Sequence, residues 1–319
     1  MKVALDTTPL RLTAAGTARY LRNLIARIDG LQPIAFGGPG KAAVLAREMW
    51  WYPIRLSAFR GVDLLHCPTY YGPLRSRLPV VVTVHDLAVL RRPEAFGRWT
   101  RSYVPRIVPR VLRAATRIIA VSEFTRRELV ELVGVRDDRI RVIPNAVDAT
   151  FTPDGPRAEG EYVLAVGTVE PRKNLPRLAE AARRAGMELR AVGAIGWGAV
   201  GLDRVHYVGE ASDEELACLY RGAAVVAYPS LYEGFGIPVL EAMACGAPVV
   251  TSRGGATEEI AGGAAVLVDP LEVESIASGL GEALARRAEL RARGLQRAQA
   301  FSWDEAAART LDVYREAAG

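Results

Sequence analysis

The sequence predicts an α/β protein built from two parallel sheets, each covered by helices on both faces. Short apolar runs rich in β-branched residues alternate with amphipathic helical patterns through both halves of the chain. Several runs, such as PVVVTV at 79–84, are apolar on both faces, which is typical of buried parallel strands. The 319 residues exceed one typical domain, so we expect two doubly wound domains.

In the first half, strands and helices are expected in regular alternation. Gly16 precedes the first helix, and Gly134 ends a later one, where a left-handed cap suits glycine. Pro105 and Pro109 are expected to kink or divide the basic helix at 98–116, because proline lacks an N–H group. The predicted strands are KVALD (2–6), VDLLH (62–66), PVVVTVHD (79–86) and RIIAVS (117–122), and the other helices are 17–28 and 124–134. The segment RIRVIPNAVD (139–148) closes the first half.

The segment FTPDGPRAEGE, residues 151–161, contains two prolines and two glycines and is the predicted linker. We expect domains over 1–150 and 151–300, followed by a last helix at 301–319 that packs back toward the first domain. The predicted strands of the second half are EYVLAVG (161–167), ELRAVG (188–193), RVHYVG (204–209) and AAVVAYPS (223–230). The predicted helices are 175–184 capped by Asn174, 212–222 capped by Ser212 or Asp213, 273–288 and 303–317. Beyond residue 252 the chain is predicted to be helical.

Charge and cysteine content limit the class of protein. The formal net charge of +5 favours an anionic ligand or surface, but it is too small to indicate nucleic acid, so no nucleic-acid partner is expected. Cys67, Cys218 and Cys245 are scattered and form no zinc-binding pattern, which fits the reduced thiols of a cytosolic protein. No run reaches the roughly 20 apolar residues of a membrane span. We expect a cytoplasmic protein, with contact to the inner face of the membrane left open.

The stretch YEGFGIPVLEAMACGAPVVTS, residues 232–252, carries the strongest chemical signal. Gly234 and Gly236 allow a tight turn and a close approach of the backbone to a ligand, and the helix that follows presents unpaired N–H groups to a phosphate. Glu233 and Glu241 are suited to accept hydrogen bonds from sugar hydroxyls on either side of a diphosphate. The alternative, which spacing alone leaves equally open, is a turn with two solvated glutamates.

A second signal is GTVEPRKN, residues 167–174, between a predicted strand and helix. Arg172 and Lys173 are adjacent cations near a helix start, a position that the helix dipole disfavours, so a ligand role is favoured over a solvated surface. Among the histidines, His66 and His85 both end predicted strands, and the sequence does not separate them. His206 lies within a predicted strand and is read as structural.

Together these motifs resemble the retaining, nucleotide-sugar-dependent glycosyltransferases of family four, and bacterial mannosyltransferase-like members in particular. The resemblance is carried, in the expected order, by GTARYLRNL (16–24), TVHDL (83–87), VSEFTRREL (121–129), VIPNAVD (142–148), GTVEPRKN and EGFGIPVLEAMACGAPVV (233–250). It implies the GT-B fold, in which two Rossmann-like domains face a cleft. The first domain would then present the acceptor, and the second would bind the nucleoside diphosphate sugar.

The resemblance also implies site residues. The catalytic set is His85, Glu233, Lys173 and Arg172. The donor-binding set is Gly16, Thr17, Arg172, Lys173, Gly209, Glu210, Gly234, Phe235, Gly236, Ile237 and Glu241. Glu241 would hold ribose hydroxyls, Glu233 would hold hydroxyls of the donor sugar, and both cations would neutralise the departing diphosphate.

The implied reaction moves a sugar to a glycan, lipid-linked or small-molecule acceptor with retention of anomeric configuration, without a cofactor or metal. GDP-mannose is the favoured donor, and UDP and dTDP sugars remain alternatives. The rival hypotheses are a sugar phosphorylase or sugar-nucleotide epimerase on the same fold, and a non-catalytic nucleotide-sugar-binding protein.

Residues 91–117 contain eight arginines and one glutamate. One interpretation is a basic face that contacts anionic lipid or a phosphorylated acceptor. The other, favoured because the prolines interrupt any long amphipathic stripe, is a solvated helix face.

Overall fold

The computed structural model describes residues 1–13, 16–93, 96–196, 198 and 200–319, and it gives no side-chain description for Arg98 and Trp99. The described chain forms two compact units. The first comprises Met1–Asn145 together with Trp303–Gly319, and the second comprises Ala146–Ser302.

The first unit is built on a six-stranded parallel sheet with the order β2-β1-β3-β4-β5-β6. Every residue of β4, VVVTV, is buried, as expected for a central strand covered on both faces. The strands are β1 (Val3–Asp6), β2 (Leu31–Ile34), β3 (Leu64–Cys67), β4 (Val80–Val84), β5 (Arg117–Ala120) and β6 (Ile140–Val142). The helices are α1 (Gly16–Arg27), α2 (Lys41–Ala46, continued by π-helical turns over Arg47–Arg55), α3 (Ala88–Arg91), α4 (Arg98–Ala114) and α5 (Glu123–Glu128, continued over Leu129–Val133).

The second unit repeats the design with a six-stranded parallel sheet in the order β12-β11-β10-β7-β8-β9. Its strands are β7 (Tyr162–Val166), β8 (Glu188–Val192), β9 (His206–Gly209), β10 (Val225–Tyr228), β11 (Val249–Ser252) and β12 (Val266–Val268). Its helices are α6 (Leu175–Arg184), α7 (Asp213–Gly222), α8 (Ile237–Ala244), α9 (Ala256–Ala261), α10 (Val273–Ala285) and α11 (Arg287–Ala298). The predicted α/β class with two parallel sheets is therefore confirmed.

The reading of the chain after the quoted motif as helical is wrong. After the motif, strand β12 follows the short helix α9, and the last four residues of the motif itself, VVTS, form β11, which was not predicted either. The predicted helix at 273–288 also ends earlier, at Ala285, and α11 begins separately at Arg287. The sequence analysis missed β2 as well, because Pro33 interrupts its apolar pattern. Proline is tolerated there because β2 lies at the edge of the sheet.

The helix at 98–116 is not divided by its prolines. Helix α4 runs unbroken from Arg98 to Ala114 with Pro105 and Pro109 inside it. Each proline removes one intrahelical hydrogen bond. Burial of the apolar face of α4 offsets the loss of these hydrogen bonds in the stability of the helix. On this face Val104, Val108, Val111 and Leu112 are at most 1% exposed.

The segment predicted as a linker is fixed against the second unit. The Arg221 guanidinium, at the end of α7, donates hydrogen bonds to the carbonyl oxygens of Thr152, Asp154 and Pro156 at 3.2, 3.0 and 2.7 Å. One arginine thus satisfies three backbone acceptors in a stretch that has no regular secondary structure of its own.

The last helix, α12 (Trp303–Ala318), lies in the first unit and packs on α1 and on strands β3, β4 and β5. Thr310, Val313 and Tyr314 are at most 2% exposed. The chain therefore leaves the first unit after Asn145 and returns to it at Trp303.

Candidate functional site

The quoted motif forms a loop and a helix start at the carboxyl end of β10. Gly236 has φ of 110° and directly precedes α8, and a Cβ at this position would lie 2.9 Å from the Thr257 side chain. Only glycine fits this combination of backbone and space. Pro238 occupies the first turn of α8, where its missing N–H costs little. Among the described residues no side chain caps this helix, so its amino terminus is suited to receive an anion.

The GTVEPRKN loop lies beside it, at the carboxyl end of β7. Pro171–Lys173 form a short 3-10 turn, and Asn174 has a left-handed backbone with φ of 62°. The expectation that the Asn174 side chain caps α6 is wrong. In this conformation its amide nitrogen instead donates to the carbonyl oxygens of Pro229 and Pro270, at 3.0 and 2.6 Å. Asn174 therefore joins this loop to the loop after β10.

Glu233 lies between the two predicted cations. Its Oε1 accepts a hydrogen bond from Lys173 Nζ at 2.7 Å, and its Oε2 accepts one from Arg172 Nη1 at 2.7 Å. Arg172 Nη1 also donates to the Tyr232 carbonyl oxygen at 2.9 Å, and Lys173 Nζ donates to the Tyr228 hydroxyl. The structure thus brings together three of the predicted site residues as one ionic cluster.

Glu170 completes this cluster and was missed at the sequence level. Its Oε1 accepts from Arg172 Nε and Nη2 at 3.0 and 2.6 Å, so every nitrogen of the Arg172 guanidinium has a protein acceptor. Glu170 is 1% exposed, and its Oε2 has no hydrogen-bond partner among the described atoms. The sequence offered one indication of this role, namely that Glu170 lies two positions before Arg172, but the same spacing is equally consistent with a solvated side chain.

The ionic cluster consists of two acidic side chains, Glu170 and Glu233, and two basic ones, Arg172 and Lys173. Burial alone would raise the pKa of Glu233, but Lys173 and Arg172 overcome that effect and lower the pKa to about 2. Glu233 is therefore ionised at neutral pH. Each of the two adjacent cations therefore has an acidic partner in the cluster, Glu233 for Lys173 and both Glu170 and Glu233 for Arg172.

Glu241 lies on α8 and is buried, at 3% exposure. Its Oε2 accepts a hydrogen bond from the Tyr220 hydroxyl of α7 at 2.9 Å. This contact fixes the orientation of the carboxylate and satisfies a buried hydroxyl that would otherwise lack an acceptor. The alternative of a solvated glutamate is excluded for Glu241.

The structure separates the two histidines of the first unit that the sequence could not. His66 is 1% exposed, with Nδ1 2.6 Å from the Tyr314 hydroxyl and Nε2 2.9 Å from Thr83 Oγ1, so it joins α12 to the sheet. The His85 ring is partly buried and packs edge-on against Tyr20, with ring centroids 5.0 Å apart. Its Nε2 has no hydrogen-bond partner in the described part of the chain. His85 therefore has one buried ring nitrogen that no described atom satisfies, whereas both ring nitrogens of His66 have partners.

The other predicted donor-binding residues lie at helix or strand ends. Gly16 and Thr17 begin α1, and the residues just before them, 14 and 15, lie outside the described chain. Gly209 ends β9 with φ of 94°, and Glu210 after it is exposed. Ser212 caps α7, as one of the two predicted alternatives held.

Burial of His66 predicts a loss of stability in acid. Burial lowers its pKa to about 3, whereas an unfolded histidine titrates near about 6.5. Because the folded pKa is the lower one, the stability is complete above the unfolded pKa and is lost as pH falls toward 3. His66→Gln should therefore remove about 3 kcal/mol of the decrease in unfolding free energy between pH 7 and pH 4. Urea unfolding at both pH values measures it.

The matched control for this experiment is His206→Gln. Its side chain is 62% exposed and its Nδ1 lies 3.0 Å from Glu188 Oε1, and because an exposed pair contributes little to stability, the substitution should change the pH dependence far less than His66→Gln does. A His66→Gln protein with the wild-type pH dependence would contradict the prediction.

Comparison with known proteins identifies the class. The family model described as Glycosyl transferases group 1 matches residues 148–301, and the one described as Glycosyltransferase Family 4 matches residues 14–151. The crystal structure of HepE from Anabaena in complex with UDP and glucose superposes with a TM-score of 0.76 at 18% identity, over 99% of each chain. The fold is therefore that of the GT-B glycosyltransferases.

Two curated relatives extend over almost the whole chain. The O-antigen chain mannosyltransferase B of Escherichia coli is 29% identical, over 99% of this chain and 100% of that protein. The D-inositol 3-phosphate glycosyltransferase of Acidothermus cellulolyticus is 31% identical, over 98% of this chain and 79% of that protein. The chain belongs to glycosyltransferase family 4, which confirms the resemblance found in its motifs.

Proposed function

We propose that this protein transfers a sugar, mannose in the first instance, from a nucleoside diphosphate sugar to an acceptor hydroxyl with retention of configuration. The observation that carries the proposal is the Glu233 carboxylate held between Lys173 and Arg172 in the loop before α8. A sugar-binding carboxylate, a cation for the diphosphate and an open helix terminus then lie within two adjacent loops. The E. coli relative is itself described as a mannosyltransferase, which supports GDP-mannose as the donor.

In this proposal Lys173 and Arg172 have different roles. The nitrogens of Arg172 all donate within the protein, so it acts as a positioning residue that holds Glu233 and the Tyr232 carbonyl. Lys173 has two partners and three N–H donors, so it retains one donor for a phosphate oxygen. A cation fixed in a water-poor site stabilises the charge that develops on the leaving diphosphate.

The reaction proceeds on one face of the sugar. The acceptor oxygen forms a bond to the anomeric carbon as the bond from that carbon to the phosphate oxygen breaks. The departing phosphate oxygen takes the acceptor proton, so no side chain has to act as a nucleophile. Glu233 binds hydroxyls of the donor sugar, His85 contacts the sugar or orients the acceptor through Nε2, and the first unit presents the acceptor.

The proposal is tested by thermal shift with GDP, UDP, dTDP and ADP sugars. A ligand that binds only the folded protein increases its free energy of unfolding, by about 2.7 kcal/mol at a concentration of 100 Kd, and therefore raises the melting temperature. We expect one nucleotide class, GDP in the first instance, to produce the shift, and transfer of sugar to follow with that donor. The absence of a shift with every nucleotide would contradict the proposal. Turnover with inorganic phosphate, or release of an epimer without acceptor, would assign one of the rival reactions.

Glu241 is proposed to bind ribose hydroxyls, so Glu241→Ala should weaken nucleotide binding by about tenfold or more and leave kcat at saturating donor nearly unchanged. Isothermal titration with the nucleoside diphosphate measures the first effect. Tyr220→Phe is the matched control, because it removes the same hydrogen bond without removing the carboxylate. Equal weakening in both variants would show that the Glu241 effect is structural.

If Lys173 and the start of α8 bind the diphosphate, the transfer reaction should not require a metal ion. Lys173 and the amides at the start of α8 take the place that a divalent cation has in other diphosphate sites. We therefore expect the transfer rate to be the same with and without an excess of EDTA over total divalent metal. A rate that falls with EDTA and returns with added magnesium would contradict this expectation.

A further inference from the structure

A second surface of the first unit has an unusual distribution of side chains. The helical segment Lys41–Arg55 carries four apolar side chains on its solvent side, Leu45, Met49, Trp50 and Ile54, which we call the apolar face. They are 51%, 53%, 45% and 56% exposed. A surface helix normally directs its apolar side chains inward.

The inward side of the same segment buries two charged residues together with two aromatic ones. Arg47 and Glu48 are only 7% and 8% exposed, next to Trp51 and Tyr52 in the core. Arg47 donates to the Gly38 carbonyl oxygen at 2.7 Å, which satisfies the buried guanidinium in part. The segment thus buries charged residues and exposes apolar ones, an arrangement that stability of the isolated unit does not require.

The apolar face is held in place. The Trp50 ring lies 5.3 Å from the Phe36 ring, centroid to centroid, and Phe36 also stacks on Trp51 at 5.1 Å. Trp50 is thus an anchored aromatic side chain that still presents nearly half of its surface to solvent. Little side-chain entropy would be lost when a partner covers it.

The exposed charges of the stretch that carries the apolar face, residues 38–62, have one sign. Lys41, Arg55 and Arg60 are exposed, and the only acidic residue between 38 and 62 is the buried Glu48. This favours an anionic partner. It disfavours a second copy of this chain, because a two-fold contact would bring the same cations together. Apolar side chains with an anchored tryptophan, bordered by cations, match the interface of an anionic bilayer.

We propose that the apolar face inserts into the headgroup region of an anionic lipid bilayer, while Lys41, Arg55 and Arg60 bind the lipid phosphates. The insertion is shallow, on the order of 5–10 Å as for other interfacial helices. None of the described helices is long and apolar enough to cross a bilayer, so this contact is peripheral. It uses residues outside the arginine-rich stretch 91–117, of which residues 94 and 95 and the side chains of Arg98 and Trp99 lie outside the described structure.

The test is co-sedimentation of the full chain with vesicles of phosphatidylcholine alone, or of phosphatidylcholine mixed with phosphatidylglycerol. We expect binding to the mixed vesicles that weakens with salt. The double variant Met49→Ser/Trp50→Ser should reduce the partition coefficient by about tenfold or more, with only a small decrease in melting temperature from the lost contact between Trp50 and Phe36. The pair Lys41→Glu/Arg55→Glu should reduce binding to the mixed vesicles specifically.

Leu271→Ser is the matched control. Leu271 is 57% exposed, but it stands between Pro270 and Glu272 in the second unit, away from the apolar face in the chain. It should bind vesicles as the wild type does. Failure of the wild type to bind mixed vesicles, or undiminished binding by the Met49/Trp50 variant, would overturn the proposal. A dimer seen by light scattering and abolished by Trp50→Ser would also overturn it, in favour of a second copy. None of these readouts depends on glycosyl transfer.

Discussion

Lys173→Met should lower kcat by about 100-fold or more, with a smaller effect on the KM for the donor. The substitution keeps the length of the side chain and removes its charge. Lys173 has three N–H donors and two protein acceptors, so one N–H is left to donate, whereas each guanidinium nitrogen of Arg172 already donates to a protein acceptor. The loss should therefore appear where negative charge develops, in the transition state, rather than in ground-state binding.

Steady-state kinetics with the donor identified by thermal shift measures this effect. Arg183→Ala is the matched control, because Arg183 is a half-exposed cation of the same unit paired with Glu180. It should leave kcat unchanged. Wild-type turnover in Lys173→Met would contradict the role assigned to the ammonium group.

Glu170→Ala should also lower kcat, by about tenfold or more, although Glu170 is proposed to touch no substrate. It holds the Arg172 guanidinium through two hydrogen bonds, and Arg172 in turn holds Glu233. If Glu170 acts only through this chain of contacts, its removal should have little further effect once Glu233 is absent. The double variant Glu170→Ala/Glu233→Ala should then be no slower than Glu233→Ala alone, a coupling of about 1 kcal/mol or more.

The double-mutant cycle distinguishes positioning from general destabilisation. A purely structural effect of Glu170→Ala would lower the melting temperature and would add to the effect of Glu233→Ala on kcat. Glu180→Ala removes a carboxylate that pairs with arginines at the surface of α6, and it should show neither an effect nor coupling. Additive effects of Glu170→Ala and Glu233→Ala on log kcat would contradict the positioning role.

The fold was predictable where apolar patterning was regular. Runs such as VVVTV and YVLAV are short, β-branched and bounded by polar residues, and each became a central strand. Prediction failed where that pattern was interrupted or very short. Pro33 concealed β2, and β12 contains only three residues between glycine-rich and acidic segments. For helix α4 the sequence predicted an interruption that the structure does not have. The burial of its valines stabilises the helix more than the hydrogen bonds lost at Pro105 and Pro109 destabilise it.

The candidate site was predictable as a set of residue types, but not as a set of contacts. A sequence lists Arg172, Lys173 and Glu233 as separate charges, whereas folding pairs them across two loops about 60 residues apart. Glu170 could not be singled out for the same reason, because pairing and burial appear only in three dimensions. The choice between His66 and His85 likewise depended on which ring nitrogens the folded chain satisfies.

The return of α12 to the first unit has a consequence for biosynthesis. Because the ribosome makes the chain from its amino terminus, all of residues 146–302 are synthesised before Trp303 is added. The sheet of the first unit therefore lacks the helix that covers it with Val313 and Tyr314 until residues 303–318 have been made. The second unit is thus free to fold before the first is complete, and a chain truncated before Trp303 would lack the helix that covers the sheet of the first unit.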